Sequence, residues 1–168
     1  MKSVKQFDSK WIKLYQETKR GHLFASRRDT PYLEEHDKIK CDAVVVIAYD
    51  LNGRLLVVKE HRPVLDSHIY AFPAGLVDEG ETFVQAAVRE VKEETGLELW
   101  ITSSYHNSFT SPGMTDEKVG IAVGYVEGEL QQDEKETVPL LLGPDEIAQI
   151  VAAREPMSIW LALHLIGG

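Results

Sequence analysis

Hydrophobic positions along the chain change period several times, and the order of the changes reads as strands, one helix, more strands and two closing helices. Residues 41–50 (CDAVVVIAYD) form a continuous β-branched run, the pattern of a strand covered on both faces. Asn52-Gly53 is a two-residue hairpin signal, and 54–62 (RLLVVKEHR) returns as the partner strand. The segment 63–75 (PVLDSHIYAFPAG) mixes polarity around prolines and is expected to be irregular. From Phe83 the spacing turns helical: Val84, Ala87, Val88 and Val91 fall on one narrow arc, the stripe expected to lie against a sheet. Thr82 with Gln85 has the T-x-x-Q form of a capping box, and Gly96 stands where a left-handed glycine would end a helix from about Phe83 to Thr95.

Strand patterns resume at 97–110 (LELWITSSYHNSFT) and 118–128 (KVGIAVGYVEG), with 111–117 (SPGMTDE) as the loop between them. Residues 127–137 (EGELQQDEKET) are polar and acidic, and the segments 144–154 and 156–166 carry apolar residues at helical spacing. Ahead of all this, two short strands are expected around Trp11 to Thr18 and His22 to Arg27, joined by a turn at Lys19-Arg20-Gly21. A hairpin alone is marginal in water, so this one needs the main domain or a second subunit to pack on. The polar segment 31–40 is the connector.

Composition narrows the classes. A chain of 168 residues with 43% hydrophobic content buries one sizeable core rather than two. A formal charge of −9 argues against a general nucleic-acid surface, which needs a basic footprint. Handling a polyanionic substrate would then require divalent cations or a local arginine cluster. Cys41 is the single cysteine, so neither an internal disulfide nor a Cys/His zinc set is expected. The first residues lack the apolar run of a signal peptide and no window has the length of a membrane span, so a cytoplasmic location without membrane partners is the default expectation.

The chemistry concentrates on the helix after residue 82. Glu90, Glu93 and Glu94 stand at i, i+3 and i+4, where like charges repel by roughly a few tenths of a kcal/mol per pair, and they sit in the half of the helix whose dipole disfavours anions. By itself such a cluster reads as a solvated acidic face. Set beside a buried stripe, it is most simply explained by cations, and carboxylate oxygens suit Mg2+ or Mn2+.

The full string from Gly75 to Leu97 matches G-x5-E-x7-R-E-U-x-E-E-x-G-U without a gap, with Gly75, Glu81, Arg89, Glu90, Val91, Glu93, Glu94, Gly96 and Leu97 in place. This is the Nudix box, and the chain resembles the Nudix hydrolases, which cleave nucleoside diphosphates linked to another moiety. Arg62-Pro63 followed by Phe72-Pro73-Ala74-Gly75, and the SPGMTDE loop with Pro112 fifteen positions beyond Leu97, resemble the ADP-ribose pyrophosphatase and nucleoside diphosphate sugar branch. The match upstream of the box is partial, with Glu60-His61-Arg62 where that branch commonly shows Q-x-R. An ordinary Pro-Gly turn is the plain alternative for the loop.

The resemblance implies an α/β (α+β) Nudix fold, an α-β-α sandwich with a mixed β-sheet over residues 39–168, preceded by a small N-terminal β subdomain over 1–38 that dimerises the protein and can be swapped between subunits. It implies Mg2+-dependent hydrolysis of ADP-ribose or a related nucleoside diphosphate sugar to a nucleoside monophosphate and a sugar phosphate, with Mn2+ as a substitute metal. Carried over residue by residue, Glu90, Glu94 and the carbonyl of Ala74 are metal ligands, Glu93 a ligand through water or a positioning group, Arg89 an orienting partner and Glu81 a loop-ordering acid. Glu134 or Glu136 of the acidic loop would activate water or close over the substrate, with Asp133 one residue away. Arg62 is the expected diphosphate contact and Met114 of the SPG loop a substrate contact. Arg27 and Arg28 are either solvated edge charges or phosphate or ribose contacts. Trp11, Tyr15 or Phe24 either stack on a base or belong to core and interface. The competing expectations are another nucleoside diphosphate derivative or a nucleoside triphosphate as substrate, or a non-catalytic nucleotide-sugar sensor.

Overall fold

In the computed structural model, which describes residues 2–34, 40–131 and 137–167, the buried run after residue 42 is the middle of a seven-stranded mixed sheet. Strands β1 (Ser3–Asp8), β2 (Lys13–Glu17) and β3 (Leu23–Ser26) form a separate antiparallel sheet. A 3-10 turn at Tyr32–Glu34 follows. The large sheet comprises β4 (Ala43–Asp50), β5 (Leu55–Arg62), β6 (Ser67–Ala71), β7 (Ala74–Leu76), β8 (Glu98–Phe109), β9 (Lys118–Glu127) and β10 (Thr137–Leu142). Its main path runs β10-β5-β4-β9-β8, with β6 paired to β5 and β7 to β4. The β4–β9 pair is parallel and the other pairs are antiparallel, which makes the sheet mixed.

Alternation along β4 explains the layering. Val44, Val46 and Ala48 point to one face, where they meet Ala86, Ala87 and Val91 of α1 (Phe83–Thr95), while Val45 points to the other, with Leu55, Val57, Phe72 and Leu161. Ile147 and Ile150 of α2 (Pro144–Ala152) and Trp160 and Leu165 of α3 (Ile159–Gly167) cover that second face. The result is the expected α-β-α sandwich, a Nudix-like arrangement of one mixed sheet and three helices.

Helix α1 has the predicted limits and the predicted ends. The Thr82 hydroxyl accepts from the Gln85 amide at 3.2 Å, the Gln85 side chain accepts from the Thr82 amide at 2.9 Å, and Gly96 closes the helix with φ of 77°. Its buried stripe is rotated from the expected one. Ala86 and Thr95 are buried with Ala87 and Val91, whereas Val88 is 39% exposed. The rotation turns Glu90 and Glu94 toward the sheet instead of leaving them beside it.

Two further differences are local. The segment expected to be irregular holds β6 and β7, short pieces that pair with β5 and β4 across the chain reversal around Phe72-Pro73. The N-terminal unit has a third strand, β1, paired with β2 through a register shift between Lys5 and Phe7. This small sheet packs on its own chain's 111–117 loop: the Ala25 amide donates to the Met114 carbonyl at 2.8 Å, and Ser26 Oγ to Asp116 Oδ2 at 3.1 Å. Among the described residues no helix is long and apolar enough to cross a membrane.

Candidate active site

Strand β7 presses the glycine that opens the box motif against α1. A Cβ built on Gly75 would lie 1.9 Å from Glu90 Cδ, so only glycine lets the backbone approach this carboxylate. Arg89 then ties the surrounding acids together. Its Nη1 donates to Glu90 Oε1 at 2.7 Å and to Glu93 Oε2 at 3.2 Å, its Nε and Nη2 reach both Glu81 oxygens at 3.1 and 3.0 Å, and Nη2 also donates to the Leu76 carbonyl at 2.9 Å. The fork geometry of a guanidinium is what allows one residue to hold a helix and the loop before it. Hydrogen bonds from Arg89 and from the Asp78 amide keep the Glu81 carboxyl below its ordinary range. Glu93 is the outermost of the acids, its side chain 61% exposed.

Glu94 is the strained member. Burial, with help from the nearby Glu90 and Glu60 carboxylates, pushes its carboxyl up to about 8, against the pull of the Ala74 amide and Arg62. Its Oε2 is buried without a hydrogen-bond partner among the described residues. A buried carboxylate oxygen left without a donor, close to a second carboxylate that glycine alone admits, is the donor chemistry of a hard divalent cation. Among the described residues no group of three His, Cys, Asp or Glu already stands together as a ligand set. Glu90 and Glu94 fit such a cation as a pair, to be completed by main-chain oxygen, water and substrate phosphate.

The chain also builds a cavity of about 380 Å³ over Ala74 and Gly75, bordered by Arg27, Arg62, Thr110, Glu117, Ser158 and Trp160. Glu60 and Arg62 share a face of β5 because they are two residues apart, and they pair with each other. Arg27 Nε donates to Glu117 Oε1 at 2.6 Å. Two guanidiniums therefore border one cavity whose Ala74 and Gly75 lie against the partly buried Glu94 and Glu90. A larger groove of about 940 Å³ lies between the small sheet and the 111–117 loop, but none of the box acids, Arg27 or Arg62 borders it.

The remaining expected residues sit as follows. Arg28 Nη2 pairs with Asp42 Oδ1 at 2.6 Å and donates to the Lys40 carbonyl at 2.7 Å, and burial holds Asp42 up at about 6 despite that partner. The Met114 side chain is 72% exposed, and its carbonyl is what anchors β3. Tyr15 and Phe24 are buried and stack on each other with centroids 5.8 Å apart, while Trp11 is exposed. Asp133, Glu134 and Glu136 lie outside the described residues. Glu60 and Trp160 border the site without having been singled out in the sequence. The i, i+2 spacing of Glu60 to Arg62 was a usable signal, whereas nothing local marks Trp160.

Comparison with known proteins decides the family. The NUDIX domain model matches residues 40–161. The chain belongs to the Nudix family. It is 31% identical over 118 residues to an ADP-ribose pyrophosphatase of Bacillus subtilis (strain 168), covering 67% of this chain and 64% of that protein. It is 33% identical over 112 residues to an ADP-ribose pyrophosphatase of Mycobacterium tuberculosis (60% and 52% covered), and 34% identical over 114 residues to a methanol dehydrogenase activator of Bacillus methanolicus (65% and 62%). The matches thus span less than two thirds of these relatives' lengths. In this Nudix chain the matched region contains the whole box from Gly75 to Leu97, both buried acids and Arg62.

Proposed function

We propose that this Nudix protein is an Mg2+-dependent hydrolase of ADP-ribose or a related nucleoside diphosphate sugar. The observation that carries the reading is that Glu90 lies against Gly75 and Glu94 against Ala74, two residues that line an arginine-bordered cavity, with Glu94 Oε2 buried and lacking a hydrogen-bond partner among the described residues. Each feature answers one need of a diphosphate: cations for its charge and forked donors for its oxygens. The similarity to two ADP-ribose pyrophosphatases supports the substrate class.

In this reading Glu90, Glu94 and the Ala74 carbonyl would hold Mg2+, or Mn2+ in its place, with Glu93 as a ligand through water or a positioning group. When bound, the metal neutralises phosphate charge and acidifies a water. Arg62 and Arg27 grip the diphosphate, so that one phosphorus lies open to water on the box side. Arg89 keeps Glu90 and Glu93 oriented and fixes the loop through Glu81. The attacking water loses its proton to a loop acid, Glu134 or Glu136. As its oxygen bonds to one phosphorus, the bond from that phosphorus to the bridging oxygen breaks, and the bridging oxygen leaves on the other phosphate. The products are a nucleoside monophosphate and a sugar phosphate. Arg28, next to Arg27 in sequence and paired with Asp42, holds the Lys40 carbonyl and offers a phosphate or ribose contact, and Met114 contacts substrate at the loop edge.

We also assign the protein to a cytoplasmic homodimer built through the 1–38 subdomain. An apolar face supports the dimer: Phe7 pairs across strands with Leu14, and both are exposed, as are Val4 and Leu23. Incubation with ADP-ribose and Mg2+ tests the function. AMP and ribose 5-phosphate should appear in equal amounts and vanish with EDTA; no cleavage of ADP-ribose or other nucleoside diphosphate sugars would refute the reading.

A further inference from the structure

Trp160 stands where neither the strand pattern nor the box motif would place it. The segment before α3 is sewn to the edge of β6: the Tyr70 amide donates to the Pro156 carbonyl at 2.9 Å and the Ser158 amide to the Tyr70 carbonyl at 2.8 Å. Ser158 Oγ accepts the Leu161 amide at 3.3 Å, which starts the helix, and Leu161 is buried one residue beyond the indole. A turn later His164 is held by the Tyr49 hydroxyl at 2.6 Å and lies edge-on to Phe72. Trp160 is thereby fixed from both sides. It is partly buried, packs on the core cluster that contains Phe72 and Leu161, and also borders the cavity of Arg27 and Arg62.

An indole seated on the core and open to a cavity offers a rigid flat wall at small entropic cost, which is how proteins hold nucleobases by stacking. The aromatic residues of the small sheet do not supply that wall at this cavity: Tyr15 and Phe24 are spent on each other, and none of Trp11, Tyr15 and Phe24 borders it. We propose that Trp160 is a specificity-determining residue that stacks on the base of the nucleotide while Arg62 and Arg27 hold the diphosphate. The assignment rests on reading this cavity as the nucleotide site. Its consequence is that selection runs toward the base side of the substrate, with the sugar phosphate left nearer the loop edge.

Two measurements separate this assignment from the hydrolase reading. Fluorescence titration of the metal-free full chain with AMP needs no turnover. Quenching should be seen in wild type, lost in W160F, and absent when ribose 5-phosphate replaces AMP; quenching that persists in W160F, or that ribose 5-phosphate alone produces, overturns the assignment. In the hydrolysis assay with Mg2+, W160A should raise KM for ADP-ribose by roughly 5- to 150-fold with kcat within a few-fold, and W160F should restore most of it. An unchanged KM in W160A contradicts the stacking role while leaving the hydrolase intact. Loss of all hydrolysis in wild type, with AMP still quenching Trp160, would instead remove the hydrolase and keep the base site.

Discussion

Replacing Glu94 by glutamine separates the energetic price of the site from its use. Raising the carboxyl from 4.5 to about 8 makes its ionisation in the metal-free protein costlier than in water by on the order of 5 kcal/mol, an upper figure because water entry and relaxation lower it. The folded state holds the Glu94 proton more tightly than the unfolded chain does. Its contribution therefore favours folding at low pH and is lost as pH rises from about 4.5 to about 8. Glutamine keeps the volume and cannot ionise, so metal-free E94Q should melt several degrees above wild type at pH 8 and close to it at pH 4.5, since about 1 kcal/mol is worth roughly 2–4 °C at this chain length. With Mg2+ saturating, the same variant should lose several powers of ten in kcat, because each 1.4 kcal/mol of lost transition-state stabilisation is about tenfold. Calorimetry in EDTA and steady-state assays in Mg2+ read the two halves. Turnover within a few-fold of wild type, or a metal-free E94Q that melts well below wild type at pH 8, would refute the reasoning.

Three other outcomes follow from the same structure. G75A puts a methyl carbon into the space of the Glu90 carboxyl group and should cut kcat at least a hundredfold with the fold retained by circular dichroism; near-normal kcat would mean the close approach is incidental. Among D133N, E134Q and E136Q, one should lose roughly two to four powers of ten in kcat with KM little changed, the loss expected on removing a general base, and three active variants would move the base to Glu93. Sedimentation should find the full chain dimeric and a chain starting at Ile39 monomeric; a monomeric full chain would remove the dimer.

The parts legible in the sequence are those whose cause is local. Thr82, Gln85 and Gly96 fix both ends of α1 within a few residues of one another, and Asn52-Gly53 sets the β4–β5 reversal, so both could be read directly. Strands β6 and β7 could not, because each is defined by a partner in another strand, and the intervening Phe72-Pro73 breaks the period that would have signalled them. The α1 stripe was misjudged for a related reason. Hydropathy alone puts valines inward, but Phe83 takes the place left by Gly120, where a Cβ would come within 2.3 Å of its ring, and small Ala86 and Ala87 fit under the sheet. That same rotation buries Glu90 and Glu94, which is why a helix read as carrying acids beside its buried face carries them on it. The box acids were visible because the motif fixes their spacing, and Arg62 through the partial match at Glu60-His61-Arg62 ahead of it. Trp160 reaches the cavity only through tertiary packing of a helix almost a hundred residues further on, and no local pattern encodes that.

In the proposed site Glu90 and Glu94 hold a divalent cation beside Ala74 and Gly75, which line the arginine-bordered cavity. Titration of the full chain with Mn2+, followed by electron paramagnetic resonance of the free ion, tests it without turnover. Wild type should bind Mn2+ with an affinity that falls as pH drops below about 8, and tighten on addition of AMP, while E94Q and E90Q each bind at least tenfold more weakly. Equal Mn2+ binding by wild type, E90Q and E94Q would contradict the account.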